Sequence, residues 1–535
     1  MPDPLTLSPQ PAQQASARQE YLPPLRTILL LALGLRVLAA FFSKGYAFHD
    51  DHFDVISIAQ DWVYGLTTWL HQPLPPRHSM TYTGLHYGLF WLLDSVGFTN
   101  PDAKMTLVRL LHGVYSLLTV YLGYKITKEL AGETYARRAG LLLAVLWFMP
   151  FMSVRNLVEM VCIPPYLGGF YVLVRYRDRL QARHFWLAGA LFGVSFLFRY
   201  HTALFLMGAG AVLVFRQQWK AIAWLALGFI GVVGLVQGTI DGVLFDYPMH
   251  SLVAYFLFNS KGAFQYSTGP VYRFALTVLG FLVPPISAFL VLGYARTRRL
   301  APLLFWGGVL FFVAHSLFPN KQERFILPLF PLLIILGVIG WERYVAGAAF
   351  WHRHPQLLAN SWRFFWVLNG IVALALALTY SKKSRVEPMV YLSQKTDLRG
   401  LVLDFGPHGT KMPPIFYLGR MGAEASAFIP DSSGVWRRYQ QQRHLPANFV
   451  MTYALNDQKP LRRLISEMNY TQRRPTYLLL VGDKDIDRRL DRLRLLFPNL
   501  KLEHTITPSP YDQVLHALNP RVHKDEHVRI YQILK

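Results

Sequence analysis

Between positions 25 and 380 the chain is a succession of apolar runs, each near the length needed to cross a bilayer and each divided from the next by a short polar or basic stretch. They fall at 25–42, 105–124, 136–150, 159–174, 184–198, 202–215, 221–237, 272–294, 301–318, 325–345 and 364–380. Only 16% of residues are Asp, Glu, Lys or Arg, against roughly a quarter in a soluble protein. With 53% hydrophobic residues, the chain has too little polar surface to cover such a core in water. The expected fold class is therefore an α-helical polytopic membrane protein.

The side on which each loop lies follows from charge. Basic loops stay with the cytoplasm, beside anionic lipid. A twelfth, aromatic segment at 83–98, interrupted by Gly84 and Gly88, decides the parity. If it lies along the interface, the basic stretches 125–138, 175–183, 216–220, 296–299 and 343–363 all become cytoplasmic. If it crosses, 125–138 moves outside against the rule. Eleven crossings are expected on this basis, with a first outer loop at 44–104 that carries interfacial helices. The outside then receives 49–54, 154–159, 199–201, 241–269, 319–324 and everything after 380.

The same segregation accounts for the formal charge of +23 without nucleic acid, whose binders gather their charge on one face. The lone Cys162 excludes an internal disulfide and a cysteine-based metal site. Residues 1–24 are polar and read as a disordered tail. No small-residue cleavage site follows 25–42, which reads as a retained helix.

After position 380 hydropathy falls, and short β-rich runs (401–405, 449–453, 477–481, 528–533) alternate with helix-like stretches (461–468, 485–496). A small α/β domain over 381–535, outside the membrane, is expected. Its GPHGTK stretch at 406–411 could open a helix towards an anion, but matches no phosphate-loop pattern and reads better as a turn.

The polar residues of the outer loops carry the candidate chemistry. GYAFHDDHFD follows the first apolar run, and carboxylates at a membrane face are costly unless water, substrate or a cation meets them. Asp50 is the candidate general base and Asp51 its partner, which could raise its basicity by like-charge proximity. The plainer reading is a solvated loop that blunts a helix end. His49 and His52 beside these acids could hold a divalent cation, although their spacing is weakly specific. PNKQERFILP places Lys321, Glu323 and Arg324 where an apolar run enters the bilayer from outside, which suits a lipid-linked phosphate. A pair reaching for phospholipid headgroups would look the same. Arg155 and Glu159 are four apart and would pair on a helix. Arg199 sits at the outer end of its run. Asp241, Asn259 and Tyr266 lie in the long aromatic and polar stretch 240–269, a composition that suits sugar binding and also an interfacial helix.

Taken in order, these stretches resemble the polytopic mannosyltransferases of glycosyltransferase family 22, which elongate GPI anchors and the dolichol-linked N-glycan precursor. FHDDHFD at 48–54 is similar to that family's early acidic loop, RNLVE at 155–159 to its Arg-x-x-x-Asn-x-x-Glu region, and FRYHTA at 198–203 to its Phe-Arg-x-Thr-Ala. IDGVLFDY with the later FN and YSTG is similar to its Ile-Asp-Ser stretch, and NKQERFILPLFP at 320–331 to its His-Lys-Glu-x-Arg-Phe signature. The resemblance implies a GT-C fold, a polyprenyl- or dolichyl-phosphate sugar donor, a lipid-linked glycan acceptor and an inverting single displacement. It gives Asp50 the base's role and Lys321, Arg324 and Arg199 the phosphate. Substrate contacts fall to His49, Arg155, Glu159, Asp241, Asn259, Tyr266 and Glu323. No cofactor is required, a divalent metal being optional. The membrane would be a bacterial inner membrane with the site facing the periplasm, or an endoplasmic reticulum with the site facing the lumen. Competing readings are a protein mannosyltransferase or lipid A aminoarabinose transferase, against which the 320–331 stretch argues. A transporter or flippase would instead carry ionisable residues at mid-membrane and paired half-repeats.

Overall fold

The computed structural model describes residues 22–65, 78–245, 247–265, 267–407, 409, 411, 413–425, 448–520 and 526–534, apart from the side chain of Asp50. Backbone contacts divide the chain into two compact units. One comprises Met1–Phe41, Trp69–Gly84 and Arg109–Leu378; the other comprises Phe42–Thr68, Leu85–Val108 and Thr379–Lys535. The first outer loop, expected to belong with the membrane helices, thus folds largely with the C-terminal segment.

The first unit is helical. Each of the expected apolar runs coincides with a helix or a broken helix pair. Among the described residues, five helices are long and apolar enough to cross a membrane: Leu25–Phe42, Pro101–Ala131, Trp219–Leu244, Glu323–Gly347 and Pro355–Ala377. Ala182–Phe198, Tyr200–Phe215 and Pro302–Leu317 are apolar but shorter. The run expected as one span at 272–294 is two helices, Arg273–Phe281 and Ile286–Arg296, bent by 114°. Pro284 and Pro285 fall at the break, where neither can supply the N–H that a continuing helix needs. The 83–98 segment is the 16-residue helix Met80–Ser95 and is not among the candidate spans.

Helix contact in this unit depends on small residues, as it must where lipid removes the hydrophobic drive for association. A Cβ on Gly189 would strike the carbonyl of Leu225, and one on Gly228 that of Trp186, so Ala182–Phe198 and Trp219–Leu244 meet backbone to backbone. Gly293 and Gly340 do the same for Ile286–Arg296 and Phe330–Gly347. Helix ends inside the bundle need donors that water cannot supply. Arg36, 1% exposed, gives its guanidinium to the carbonyls of Ala144 (2.9 Å), Leu143 (3.4 Å) and Ala32 (3.1 Å) and to Ser116 Oγ (2.7 Å). Across the same break Asn369 donates to Val145 O at 2.8 Å and accepts from Trp147 N at 2.7 Å. An 18-residue apolar stretch of the span Glu323–Gly347 is 89% buried, and this span forms the centre. It begins as a 3-10 turn, Glu323–Leu329, because Pro328 and Pro331 disrupt the first α-helical hydrogen bonds.

The second unit is built on a six-stranded sheet. Strands β1 (Gly400–Asp404), β2 (Gly422–Glu424), β3 (Val450–Leu455), β4 (Tyr477–Val481), β5 (Leu500–Ile506) and β6 (Val528–Ile533) lie in the order β2-β3-β1-β4-β6-β5. β2, β3, β1 and β4 are parallel; β6 and β5 join antiparallel. β1, β3 and β4 are buried along their whole length, which explains why they read as continuous apolar runs. One face packs Val402, Met451, Tyr453, Leu478 and Leu480 against Leu464, Leu490 and Leu493 of the helices Leu461–Thr471 and Ile486–Arg494. β2 and β5 carry no comparable signal. The first is three residues long, and the second, LKLEHTI, is mostly exposed at the sheet edge. The 406–411 stretch opens with a turn at Gly406, whose φ of +55° suits glycine.

The chain leaves β1 on one side and returns on the other to β4, a reversal where open parallel sheets usually take a ligand. Here a guanidinium fills the place. Arg489, 2% exposed, meets Asp404 Oδ2 (2.8 Å) and the carbonyls of Asp404 (2.8 Å), Val481 (3.0 Å), Gly482 (3.3 Å) and Lys484 (3.2 Å). All five of its N–H groups are used.

Candidate functional site

The residues expected to carry chemistry fall in both units. In the second unit, GYAFHDDHFD is not a loop. His49 begins a helix, His49–Val63, so Asp50 and Asp51 stand in its first turn, where the helix dipole favours negative charge. Asp51 is 7% exposed; the side chain of Asp50 and all of Tyr266 lie outside the described residues. His52 places Nε2 3.3 Å from Tyr417 Oη and stacks on Tyr46, while His49 packs on Tyr46 and Phe53. Among the described residues no group of three or more His, Cys, Asp or Glu is arranged to hold a metal ion. Further along the helix burial pushes the Asp61 carboxyl up to about 7. Gln60 donates to Asp94 at 2.8 Å and accepts from Lys104 at 3.0 Å, a network that ties this helix to the rest of the first loop.

In the first unit the structure brings together three of the predicted residues. Glu159, fully buried, opens the short helix Val158–Val161. Arg199 follows Ala182–Phe198 in extended backbone, with φ −147°. Arg324 lies in the 3-10 turn that starts the central span. Arg199 Nη2 is 3.2 Å and Arg324 Nε 3.8 Å from the same oxygen, Glu159 Oε1. Both guanidiniums also lie over the Phe325 ring, at 5.0 and 5.3 Å. Both guanidiniums thus face this one carboxylate in a place closed to water, and their forked donors are of the kind that meets the oxygens of an anion.

Arg155 does not pair with Glu159 along a helix as the spacing suggested. The preceding helix ends at Ser153, the next begins at Val158, and Arg155 lies between them with its guanidinium 4.3 Å from the centre of the Phe151 ring. Other predicted residues have structural tasks. Asp241 is not in a loop but buried in Trp219–Leu244. There it accepts from Gln237 Nε2 (2.8 Å), Ser251 N (2.9 Å) and Ser251 Oγ (2.7 Å), capping the helix His250–Gly262. Asn259 donates to Tyr255 O at 2.8 Å, and Glu323 pairs with Arg273 at 2.5 Å.

Lys321 was expected to hold phosphate. Instead its ammonium, 1% exposed, donates to the carbonyls of His315 (2.9 Å), Ser316 (2.8 Å) and Phe318 at the end of Pro302–Leu317. Three protons meet three carbonyls, and burial pulls its pKa below the usual lysine value. Lys321→Met should therefore act on stability, lowering the unfolding free energy by about 1–3 kcal/mol. The apparent donor KM should stay within about twofold of wild type. Thermal melting in detergent and steady-state kinetics check the two halves.

Beside Arg199 lies a polar chain that the sequence did not reveal. His315 Nδ1 is 2.8 Å from Phe311 O and so carries the proton; His315 Nε2 then accepts from His201 Nδ1 at 3.4 Å. His201 Nε2 in turn accepts from Tyr255 Oη at 2.8 Å. These directions are those of neutral imidazoles, whose tautomers are then set by a backbone carbonyl. His78, Ser79, Phe198, Arg199, Tyr200 and Tyr255 line a cleft next to this chain. Only the RYHT stretch at 199–202 could have hinted at it, since His201 reaches His315 by tertiary packing.

The sequence pattern of the Alg9-like mannosyltransferase family matches residues 27–398. The chain is 24% identical over 401 residues to alpha-1,2-mannosyltransferase ALG9 of Mus musculus, aligning 70% of itself with 63% of that protein. It is 25% identical over 323 residues to GPI mannosyltransferase 4 of Eremothecium gossypii, aligning 56% of itself with 62% of that protein. The chain therefore spans a little under two thirds of these curated relatives. Among solved structures it resembles ArnT from Cupriavidus metallidurans bound to undecaprenyl phosphate, with a TM-score of 0.58 at 14% identity over 95% of this chain and 97% of that one. It also resembles the Archaeoglobus fulgidus oligosaccharyltransferase, at TM-score 0.51 and 12% identity over 85% of this chain and 67% of that one. Likeness at such identities speaks for the fold alone, which is the GT-C glycosyltransferase architecture of a multi-pass membrane protein with a small C-terminal sheet domain. The family's pattern runs through the first acidic helix, the Glu159, Arg199 and Arg324 cluster and the central span, and the chain belongs to the Alg9-like mannosyltransferase family.

Proposed function

We propose that the chain transfers a hexose, mannose first among candidates, from a polyprenyl-phosphate donor to a lipid-linked or glycan acceptor on the non-cytoplasmic face, with inversion at the anomeric carbon. The observation that carries this reading is the pair of guanidiniums, Arg199 and Arg324, gathered on one buried carboxylate. A phosphodiester is an anion whose oxygens suit guanidinium geometry. Glu159 acts as a positioning residue: it holds both cations in place before any ligand arrives, so that little reorganisation accompanies binding. The acceptor hydroxyl gives its proton to Asp50, with Asp51 adjacent. The departing lipid phosphate leaves as a stable anion and needs no general acid. ArnT was solved with undecaprenyl phosphate, which supports a polyprenyl carrier of this kind.

The test uses the purified full chain in lipid nanodiscs with undecaprenyl-phosphate mannose and a panel of lipid-linked glycan acceptors. Transfer of labelled mannose, with α-linkage in the product from a β-linked donor, is the expected result. Transfer of aminoarabinose in place of hexose, or none with any acceptor, would overturn it.

A further inference from the structure

The helix that carries Asp50 and Asp51 has Phe48 as its N-cap, with no capping hydrogen bond from that side chain. A phenylalanine has no acceptor to offer the first N–H groups, and helix ends fray. A misplacement of about 1 Å can cost a reacting group ~10²-fold in rate, so a base in this turn needs a hold from elsewhere in the fold. We propose that the C-terminal sheet domain supplies it, with Tyr417 as a positioning residue that fixes the first turn of His49–Val63 through His52. The proposal rests on the transfer reaction given above, with Asp50 as its base, and adds what keeps that base in place.

Tyr417 lies in the 3-10 turn Ile415–Leu418 and is 0% exposed. Its Oη is 3.3 Å from His52 Nε2, and the two rings are within 12° of parallel at 6.4 Å. The same ring meets Phe53, the next residue of the helix, edge to face at 6.2 Å. His52 follows Asp51 directly, so contacts that fix its ring also fix the turn to which both acidic residues belong. Tyr46, on the approach to the helix, stacks on His52 at 5.6 Å.

The chain leading into the helix is strapped to the same unit. Ser381 N donates to Lys44 O (3.1 Å), Lys382 Nζ to Ala47 O (3.2 Å), Arg385 Nη1 to Tyr46 Oη (3.4 Å), and Ser43 Oγ to Thr379 O (3.0 Å). At Gly45, where φ is +79°, a Cβ would strike Ser381 O, so glycine is what lets the two stretches lie this close.

Tyr417 is in turn anchored to the sheet domain. Arg420, three residues on, donates through Nη2 to Ser393 O (2.8 Å) and Lys395 O (3.0 Å), which ties the turn to the helix Lys383–Ser393. From that helix Tyr391 Oη donates to Glu503 of β5 at 3.1 Å. Tyr417 lies beyond residues 27–398, the stretch that matches the family pattern, so it is this chain's own contacts that single it out.

Tyr417→Phe keeps the ring and deletes the hydroxyl that faces His52. Wild type, Tyr417→Phe, Asp50→Asn and the double variant are assayed as purified full chains in nanodiscs with undecaprenyl-phosphate mannose and the lipid-linked acceptors, alongside thermal melting. The single variant should lose ~10-fold in kcat, with the apparent donor KM within about twofold and the melting temperature within about 2 °C of wild type. In the Asp50→Asn background the same substitution should change the residual kcat less than about twofold, because no base is left to position. A merely structural role would lower both backgrounds alike. Unchanged kcat, equal losses in both backgrounds, a loss confined to donor KM, or a loss accompanied by a lower melting temperature would each overturn the proposal. Amide hydrogen exchange separates the hold from the reaction. In an α-helix residues 53–56 bond back to the carbonyls of 49–52, and their exchange should quicken ~10-fold in Tyr417→Phe while the strands exchange as in wild type. That result in a chain that transfers no hexose would sink the proposed function and leave the hold standing; unaltered exchange at 53–56 would sink the hold.

Discussion

Asp50→Asn is expected to reduce hexose transfer by ~10²–10⁴-fold, the range over which a positioned general base contributes, with melting temperature and donor binding close to wild type. Asparagine keeps the size and one carbonyl oxygen of the native side chain but cannot take a proton at neutral pH. Magnitudes separate the two explanations for a loss. Asp50 stands in the first turn of His49–Val63, where a negative charge adds only ~0.3–1 kcal/mol through the helix dipole. A rate loss of that range corresponds to about 2.7–5.5 kcal/mol in the activation free energy, more than weakening a helix end could produce. The measurement is single-turnover transfer with saturating mannosyl lipid, paired with donor titration and melting. Undiminished turnover would move the base to another group, and Asp51→Asn is the next variant to assay.

The second large effect concerns the C-terminal sheet domain. Arg489→Met should destabilise that domain by about 3–5 kcal/mol, because it leaves the Asp404 carboxylate buried without its counter-charge. Four carbonyls at the ends of β1 and β4 would lose their donor as well. Asp404→Asn should cost less, since the guanidinium keeps its carbonyl partners and a neutral amide oxygen can still accept. Combining Arg489→Met with Asp404→Leu should recover part of the loss by removing the stranded charge, but the orphaned carbonyls prevent full recovery. Urea titration of the full chain in detergent, followed by limited proteolysis within the C-terminal segment, reads all three. Equal stability of Arg489→Met and wild type would refute the account of the filled crevice.

Some of this molecule was legible in order along the chain, and each legible part has a local cause. Apolar runs announced the membrane helices because lipid-facing and buried positions alike must be apolar over a bilayer's depth. β4 and β6 lie where apolar β-rich runs placed them, at 477–481 and 528–533, since a strand of a covered sheet shows its burial in its own residues. β5 escaped notice because an exposed edge strand has no need of apolar residues.

By itself, then, the sequence determined the solvent in which the chain folds, most of its elements, and the short roster from which any chemistry must come. Only the tertiary structure decided who meets whom within that roster. Glu159 takes Arg199 and Arg324 from other helices and not Arg155 from four residues away; Lys321 turns into a helix end and Asp241 caps one; His201 and His315 orient a tyrosine that no motif marked. The reason is physical. Burial leaves a periodic trace in the residues that are buried, whereas a charge taken out of water is indifferent to sequence distance and settles on whichever partner the fold brings within reach.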